Sequence, residues 1–572
     1  MRSAPRTKQT IDSRAWTITE ALTLHRQGRL AEAEQRYMRI LTGNPRDFDA
    51  LHLLGVLKLQ RGDAEEALRL VGAAIAIDPR SADALSNYAA VLQALGRKAD
   101  ALASYERALA IDPNHIDALY NRGLALQESE RFAEALACYD AVLVRRPDHV
   151  HALNNRGVAL HRLGRNDEAL AAFDRALAVA PDFVEALSNR GNLLQDCDRD
   201  EEALASLDKA LAIEPDHLGA LTNRGSALVR LGRPADAVRS LEAALAIRPD
   251  FAEARLNCAI AQLMLGDFRA GWANYEWRTR TRRLSALARP FDRPQWDGTQ
   301  AVAGRTILLH AEQGLGDTIH FVRYAPLLVQ RGAKVLLEVQ APLVPLLAGL
   351  QGVVHVFPRG EALPDFDLHS PLMSLPHAFR TELATIPAEV PYLSAPPVHI
   401  EMWRERLGRT AAPRVGLAWL GSAHHRDDRN RSIALERLAP LLATPGIRYV
   451  SLQKELRPGD RERLAALPQI DPLGETFGDF ADTAAVVAQL DLIISVDTAV
   501  AHLAGAMAKP VWILLPAYPD FRWLLGREDS PWYRTARLFR QPRLGDWESV
   551  ISCLGEALLR WAGVGPTPLT KS

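Results

Sequence analysis

An all-helical repeat solenoid followed by an α/β half of two lobes is the fold class that the sequence predicts. Three observations predict it. Pro45, Pro79, Pro113, Pro147, Pro181, Pro215 and Pro249 recur every 34 residues. That period ends near Arg280, and from Arg305 onward short apolar runs alternate with amphipathic ones. A period of this length marks one supersecondary unit that buries its apolar face against copies of itself.

Most of these prolines follow a helix end of the Ala-Leu-Ala-Ile-Asp type, and a proline cannot continue a helix, so it sets up the turn into the next one. Twenty-four residues before each proline stands a small residue (Ala21, Gly55, Ala89, Gly123, Gly157, Gly191, Gly225), and twelve before it an alanine (Ala33 through Ala237). Helices of a hairpin approach closely only where side chains are small, so these positions supply the two faces of that contact. Gly96-Arg97, Gly164-Arg165 and Gly232-Arg233 suit the helix C-caps between them. A degenerate eighth unit spans Ala259–Tyr275, with Gly271 in the alanine's place. Its Trp272, Tyr275 and Trp277 predict a cap that docks on the next domain. Asn87, Asn121, Asn155, Asn189, Asn223 and Asn257 share the 34-residue period, in the first helix of each unit. A primary amide both donates and accepts, so this row either pairs with the backbone of an extended peptide or ties neighbouring repeats together.

Over residues 15–265 the pattern resembles the tetratricopeptide repeat (TPR) family, whose arrays curl into superhelices with a concave face lined by the first helices. The asparagine row is similar to that of the TPR-bearing O-linked N-acetylglucosamine transferases. That resemblance implies a peptide-binding role for the six asparagines and a protein acceptor as partner.

A net charge of −1 argues against nucleic acid or an anionic membrane as a partner held mainly by charge. No run of 18 apolar residues is present to span a bilayer. Met1–Thr10 is basic and polar without an apolar core, unlike a secretory signal. Cys138, Cys197, Cys258 and Cys553 are scattered, and read as buried thiols of a reducing cytoplasm rather than a disulfide framework or zinc site. The expected location is therefore cytoplasmic.

In the second half, Arg305–His310, Val335–Val339 and Val353–Phe357 read as strands, with a helix over Thr318–Val329 and a looser segment Asp365–Ser374. Pro387–Pro397 reads as a lobe boundary. Arg414–Trp419, Ile447–Leu452, Leu492–Ser495 and Val511–Leu515 are the strands of a second series. The expected organisation is a TPR superhelix over 1–282, a linker over 283–300, and lobes over 301–397 and 398–565.

Gln313-Gly314-Leu315-Gly316-Asp317-Thr318-Ile319-His320 follows the first strand and opens a helix. It resembles the Gly-Asp turn of the ADP-heptose:lipopolysaccharide heptosyltransferases, glycosyltransferase family 9. The stretch Asp491–Ala506, which carries Asp497, Thr498 and His502, resembles the strand–turn–helix element of that family. Together they cover roughly 303–545. The resemblance implies a GT-B domain of two Rossmann-like lobes, with a nucleotide-sugar donor bound in the cleft and mainly on the second lobe. It also implies inverting transfer without a metal or other cofactor. TPRs joined to such lobes look like bacterial TPR glycosyltransferases, some of which are associated with flagellin modification. Flagellin, or another surface protein before export, is thus the implied acceptor. Ala499 stands where the heptosyltransferases have glycine, and its methyl group argues against ADP-heptose as donor.

Transfer to a hydroxyl needs a proton acceptor, and Asp317 matches the base position of the family. An Asp that opens a helix also serves as a cap. His320, one turn on, is the alternative base. The departing phosphate needs donors and cations. The helix beginning near Thr498 can aim its free amides at it, with Gly316 and Thr498 on the donor side. Asp497 orients that turn or binds a sugar hydroxyl. His502 donates to phosphate or ties helix to sheet. In the loop Gly421–Ser432, Ser422, His425, Arg429 and Arg431 form an anion site, and Gln453 and Lys454 reach the nucleotide from the neighbouring strand end. No metal pair is expected from His424-His425, whose rings diverge. Trp523, Trp532 and Tyr533 either stack on sugar or pack.

These readings give a glycosyltransferase that moves sugar from a nucleotide-sugar to a Ser/Thr hydroxyl of a captured protein. Its rivals are a polysaccharide-assembly enzyme whose TPRs recruit other proteins, and a non-catalytic scaffold that senses a nucleotide-sugar.

Overall fold

The computed structural model describes residues 18–423 and 428–563. They form two compact units, one ending at Ala220 and the other beginning at Leu221.

The first unit is a stack of helical hairpins. Residues 18–26 pair with Leu30–Gly43, Phe48–Gln60 with Ala64–Ile77, and Ala82–Ala94 with Lys98–Ile111. Ile116–Glu128 with Phe132–Arg145, Val150–Arg162 with Asn166–Val179, and Val184–Asp196 with Asp200–Ile213 continue it. Each second helix stops two residues short of its proline, as the period predicts. The small positions have the expected cause. A Cβ on Gly123 would lie 2.6 Å from the Tyr139 ring, and one on Gly157 2.6 Å from Phe173. Gly96 and Gly164 adopt left-handed φ of 73° and 75° at the hairpin turns; Glu130 and Asp198 are forced into the same region at the equivalent places, with φ of 59° and 58°.

The second unit opens with the rest of the array: the helix Leu218–Arg230 (from Leu221 on) with Pro234–Ile247, then Ala252–Met264 with Phe268–Tyr275. The cap docks as predicted through two of its three aromatics. Phe268, Trp272 and Tyr275 are buried in the core of the α/β half. Trp272 meets Phe321 and Phe521 edge-on at 5.9 and 5.6 Å, and Phe268 stacks on Trp532 at 6.0 Å. Trp277 does not join them: it is held between the guanidinium groups of Arg255 and Arg280 at 4.5 and 4.3 Å. The segment read as a linker is docked too, with Trp296 buried, its backbone amide donating to the His369 carbonyl at 2.7 Å and its indole N–H to the Gln300 carbonyl at 3.0 Å.

The first lobe is a parallel sheet of β1 (Thr306–His310), β2 (Lys334–Val339), β3 (Val353–Pro358) and β4 (Leu368–Pro371), in the order β3-β2-β1-β4. The looser segment of the sequence thus contains β4. The second lobe has six parallel strands: β5 (Arg414–Ala418), β6 (Arg448–Ser451), β7 (Ile470–Asp471), β8 (Leu492–Val496), β9 (Val511–Leu515) and β10 (Ala536–Arg540). Their order is β10-β9-β8-β5-β6-β7. This is a doubly wound sheet in which the winding reverses between β5 and β8, so a crevice opens at their carboxyl ends. The central strands β8 and β9 are buried along their whole length and almost wholly apolar, as expected where both faces of a parallel sheet are covered.

Cys138 and Cys258 are buried, but Cys197 is half-buried and Cys553 is exposed on the terminal helix Trp547–Trp561. Among the described residues, no helix is long and apolar enough to cross a membrane, and no three His, Cys, Asp or Glu side chains gather as a metal site.

Candidate functional site

The helix Leu315–Phe321, which follows β1, lies against the helix Ala499–Ala506, which follows β8. Their meeting point is Gly316, where a Cβ would stand 3.0 Å from His502 and 3.4 Å from Ala499. Close approach of the lobes therefore explains this glycine.

Behind that contact, the Tyr533 hydroxyl lies 2.9 Å from His320 Nδ1 and 3.0 Å from His502 Nδ1. One hydroxyl donates a single proton, so it gives to one ring and receives from the other. His502 Nε2 faces Asp497 Oδ1 at 3.8 Å, while His320 Nε2 is buried without a partner. Placing the protons on His502 Nε2 and His320 Nδ1 leaves only a bare acceptor orphaned and no buried N–H, which is the cheaper arrangement. Burial holds both rings well below the usual histidine range, and neighbouring arginines add to this, so both are neutral. His320 is fully enclosed and has no path to a substrate hydroxyl in this conformation.

Asp317 does two things. Its Oδ2 accepts the Gly314 amide at 2.8 Å, the capping alternative of the sequence, and its Oδ1 is paired with Arg522. Arg522 comes from the loop after β9. It also pairs with Asp520 at 2.8 Å, lies over the Phe321 and Phe521 rings, and is only 6% exposed.

At the β5/β8 crevice, Arg431 donates to the Asp497 carbonyl at 3.2 Å. Its loop is held by Asp428, which accepts from Ser432 at 2.8 Å and Arg457 at 2.6 Å. Burial, and then the charge of Asp520, push the Asp497 carboxyl up to about 6, against the opposing pull of Arg431 and Arg522. Its side chain is 15% exposed. Thr498 meets the Ser495 hydroxyl at 3.1 Å and makes no side-chain cap, so the first amides of Ala499–Ala506 have none. Ser422 and Arg429 are exposed on the same loop, and His425 lies outside the described residues. Gln453 is committed elsewhere. Its Oε1 accepts from Trp419 and Leu420 amides at 3.2 and 3.0 Å and its Nε2 donates to the Glu455 carbonyl, so it ties β5 to β6. Lys454 donates to the Gly478 carbonyl at 2.9 Å. Trp523, Trp532 and Tyr533 are buried and pack. The structure thus gathers Asp317, Gly316, Arg431, Asp497, Thr498 and His502.

Arg522 and Asp520 were missed by sequence reasoning. The available signal was their position just after β9, beside the strand where the winding reverses.

The six asparagines are all half-buried. In the first unit, three reach the preceding repeat. Asn87 lies 2.7 Å from His52 Nε2, while Asn155 donates to the Tyr120 hydroxyl and Asn189 to Asn154 Oδ1, both at 3.0 Å. These bonds match the inter-repeat alternative. Asn223 and Asn257 hold the same position in the second unit.

Comparison with known proteins gives the class of the N-terminal half: it is built of TPR repeats. Family profiles described as Tetratricopeptide repeat match residues 24–91, 120–182 and 182–250, and one described as TPR repeat matches 94–129. A curated relative, Protein FlbA of Caulobacter vibrioides, is 28% identical over 327 residues, covering 52% of this chain. The chain spans about half the length of that relative, 54% of it. Solved structures that match include a tetratricopeptide repeat protein from Parabacteroides merdae (20% identity, 44% of this chain and 99% of that one, TM-score 0.37). Two others are YrrB, titled a TPR protein with an unusual peptide-binding site (25% identity, 32% and 95%, TM-score 0.28), and pilF of Pseudomonas aeruginosa (23% identity, 36% and 95%, TM-score 0.34).

Proposed function

We propose that this chain is a glycosyltransferase that moves a sugar from a nucleotide-sugar to a Ser or Thr hydroxyl of a protein segment held by its TPR repeats. The observation that carries the reading is Arg431 on the Asp497 carbonyl, at the reversal point of the doubly wound sheet and beside the uncapped first turn of Ala499–Ala506. A departing diphosphate needs cations and free amide donors in one place. Asp317 lies across the helix contact, on the first lobe, where an acceptor hydroxyl would be activated. Arg522 and the Gly314 amide hold its carboxylate in place there. His320, His502 and Tyr533 hold the two helices in register behind the reacting groups. The acceptor in this reading is an extended segment of flagellin or of another surface protein before export.

The test uses the full chain with a panel of UDP-, GDP-, ADP- and CDP-sugars. Nucleoside diphosphate release and the intact mass of flagellin co-expressed with the chain are followed. Release with at least one donor, a mass gain of one glycosyl residue, and loss of both in Arg431→Ala are expected. No release with any donor and no mass gain overturn the proposal.

A further inference from the structure

The geometry points to Arg522 as a second cation for the donor's phosphates, stored on Asp317 until a nucleoside diphosphate draws it away and uncovers that carboxylate. The inference rests on the nucleotide-sugar reading above and goes beyond it by assigning a residue and an order of events.

Three observations carry it. The first is position. Arg522 leaves the carboxyl end of β9, the neighbour of β8, and its charge acts on Asp497 together with that of Arg431. The two arginines thus approach one turn from opposite sides, one from the loop after β5 and one from the loop after β9.

The second is incomplete satisfaction. A guanidinium has five N–H donors. Arg522 spends Nη2 on Asp317 and Nη1 on Asp520, yet its Nε–H is buried without an acceptor. The Arg431 Nε–H is buried and makes no hydrogen bond either, with Asp428 Oδ1 standing off at 3.7 Å. Two guanidinium groups that act on Asp497 and whose Nε–H donors make no hydrogen bond match an anion with several oxygens better than they match the carboxylates present. A diphosphate offers more acceptors than Asp317, which already accepts from Gly314.

The third is the seat of the loop. The Tyr518 ring lies on the turn at Gly232, where a Cβ would meet it at 2.0 Å. Phe521 packs on Trp272 and Tyr275 at 5.6 and 6.0 Å, and Trp532 stacks on Phe268. The backbone on both sides of Arg522 is thereby fixed to the last repeats, so exchange between Asp317 and a phosphate is a motion of one side chain. The same anchoring places the terminal repeats next to the residue that controls Asp317.

The experiment is calorimetric titration of the full chain with ADP, GDP, UDP, CDP and inorganic pyrophosphate. Wild type binds at least one of them. Arg522→Gln weakens binding by about tenfold or more, and Arg522→Lys recovers part of the loss. Asp317→Asn, which removes the competitor for Arg522, tightens binding by about five- to tenfold. Wild-type affinity in Arg522→Gln overturns the inference, as does unchanged or weaker binding in Asp317→Asn. If Arg522→Gln fails to fold, Asp317→Asn alone decides. Binding that Arg431→Ala weakens while both Arg522→Gln and Asp317→Asn leave it unchanged sinks this inference alone. Wild type that binds none of the probes removes the nucleotide-sugar reading itself.

Discussion

Arg278 and Glu312 meet at 2.7 Å with each side chain only 1% exposed, joining the segment after the last repeat to the loop after β1. Arg278 also donates to Ser374 and the Tyr275 carbonyl and pairs with Glu276, so four acceptors converge on one cation. They include Ser374, which follows β4, so the cluster straddles the point where the first sheet reverses its winding.

Removing that cation alone leaves a buried carboxylate unpaired. Arg278→Met is expected to cost about 3–5 kcal/mol. Replacing Glu312 by Leu in the same protein recovers much of the loss, because the buried charge goes with it. Urea unfolding followed by tryptophan fluorescence checks both, and equal stability of the single and double variants contradicts the account.

Glu130 holds a left-handed conformation that glycine holds at the matching turns. Glu130→Gly is expected to stabilise the first unit by about 1 kcal/mol, and Gly96→Ala to destabilise it by a similar amount. Space is no obstacle at Gly96, where a Cβ meets nothing within 4 Å. Thermal melts by circular dichroism read the opposite signs.

Acid weakens the second unit through its buried imidazoles. His320 and His502 lie well below the ordinary value of 6.5, and His310 falls to about 3, in each case chiefly because burial disfavours charge. A folded value below the unfolded one contributes stability that is complete above the unfolded value and lost as pH falls. Asp497 runs the other way. Raised to about 6, its contribution is present below 3.8 and is lost as pH rises through 6. The unfolding free energy measured from pH 7.5 down to 5 should fall, and Tyr533→Phe should lower it at every pH by roughly 1–3 kcal/mol, by removing the hydroxyl that both rings share.

The asparagine row divides by partner. Asn155→Ala and Asn189→Ala each remove a tie to the preceding repeat and should cost about 1 kcal/mol of array stability. If the row also grips peptide backbone, the double variant loses capture of the protein acceptor in a pull-down at a temperature where it is still folded. Retained capture there assigns these two residues to repeat stacking alone.

The repeat half was legible because each constraint is written several times over. Proline, glycine and alanine return in phase, and Gly123 and Gly157 meet rings sixteen residues on for one shared reason. Most α/β strands were legible as apolar runs bounded by turns. β7 was not, since Ile470–Asp471 is two residues long. β10 is an edge strand whose Arg537 and Arg540 interrupt the apolar run. At the site, the turn at Asp497–Thr498 and the loop bearing Arg431 could be placed from strand ends alone. Arg522 could not, because it stands between Phe521 and Trp523 in a segment that reads as packing. Its partner Asp317 is 205 residues away in sequence. A contact of that separation exists only once the lobes have folded against each other.

The stacking of Phe268 on Trp532 and the burial of Trp272 between Phe321 and Phe521 bear on how this protein can be handled. A truncation that starts at residue 301 would strip those rings of their cover and present a sticky aromatic patch to solvent. Its behaviour would report that wound, whatever chemistry the lobes perform. A cut anywhere from Leu218 to Arg230 would sever a helix. A useful shorter version begins upstream of Leu218 and carries the last repeats with it.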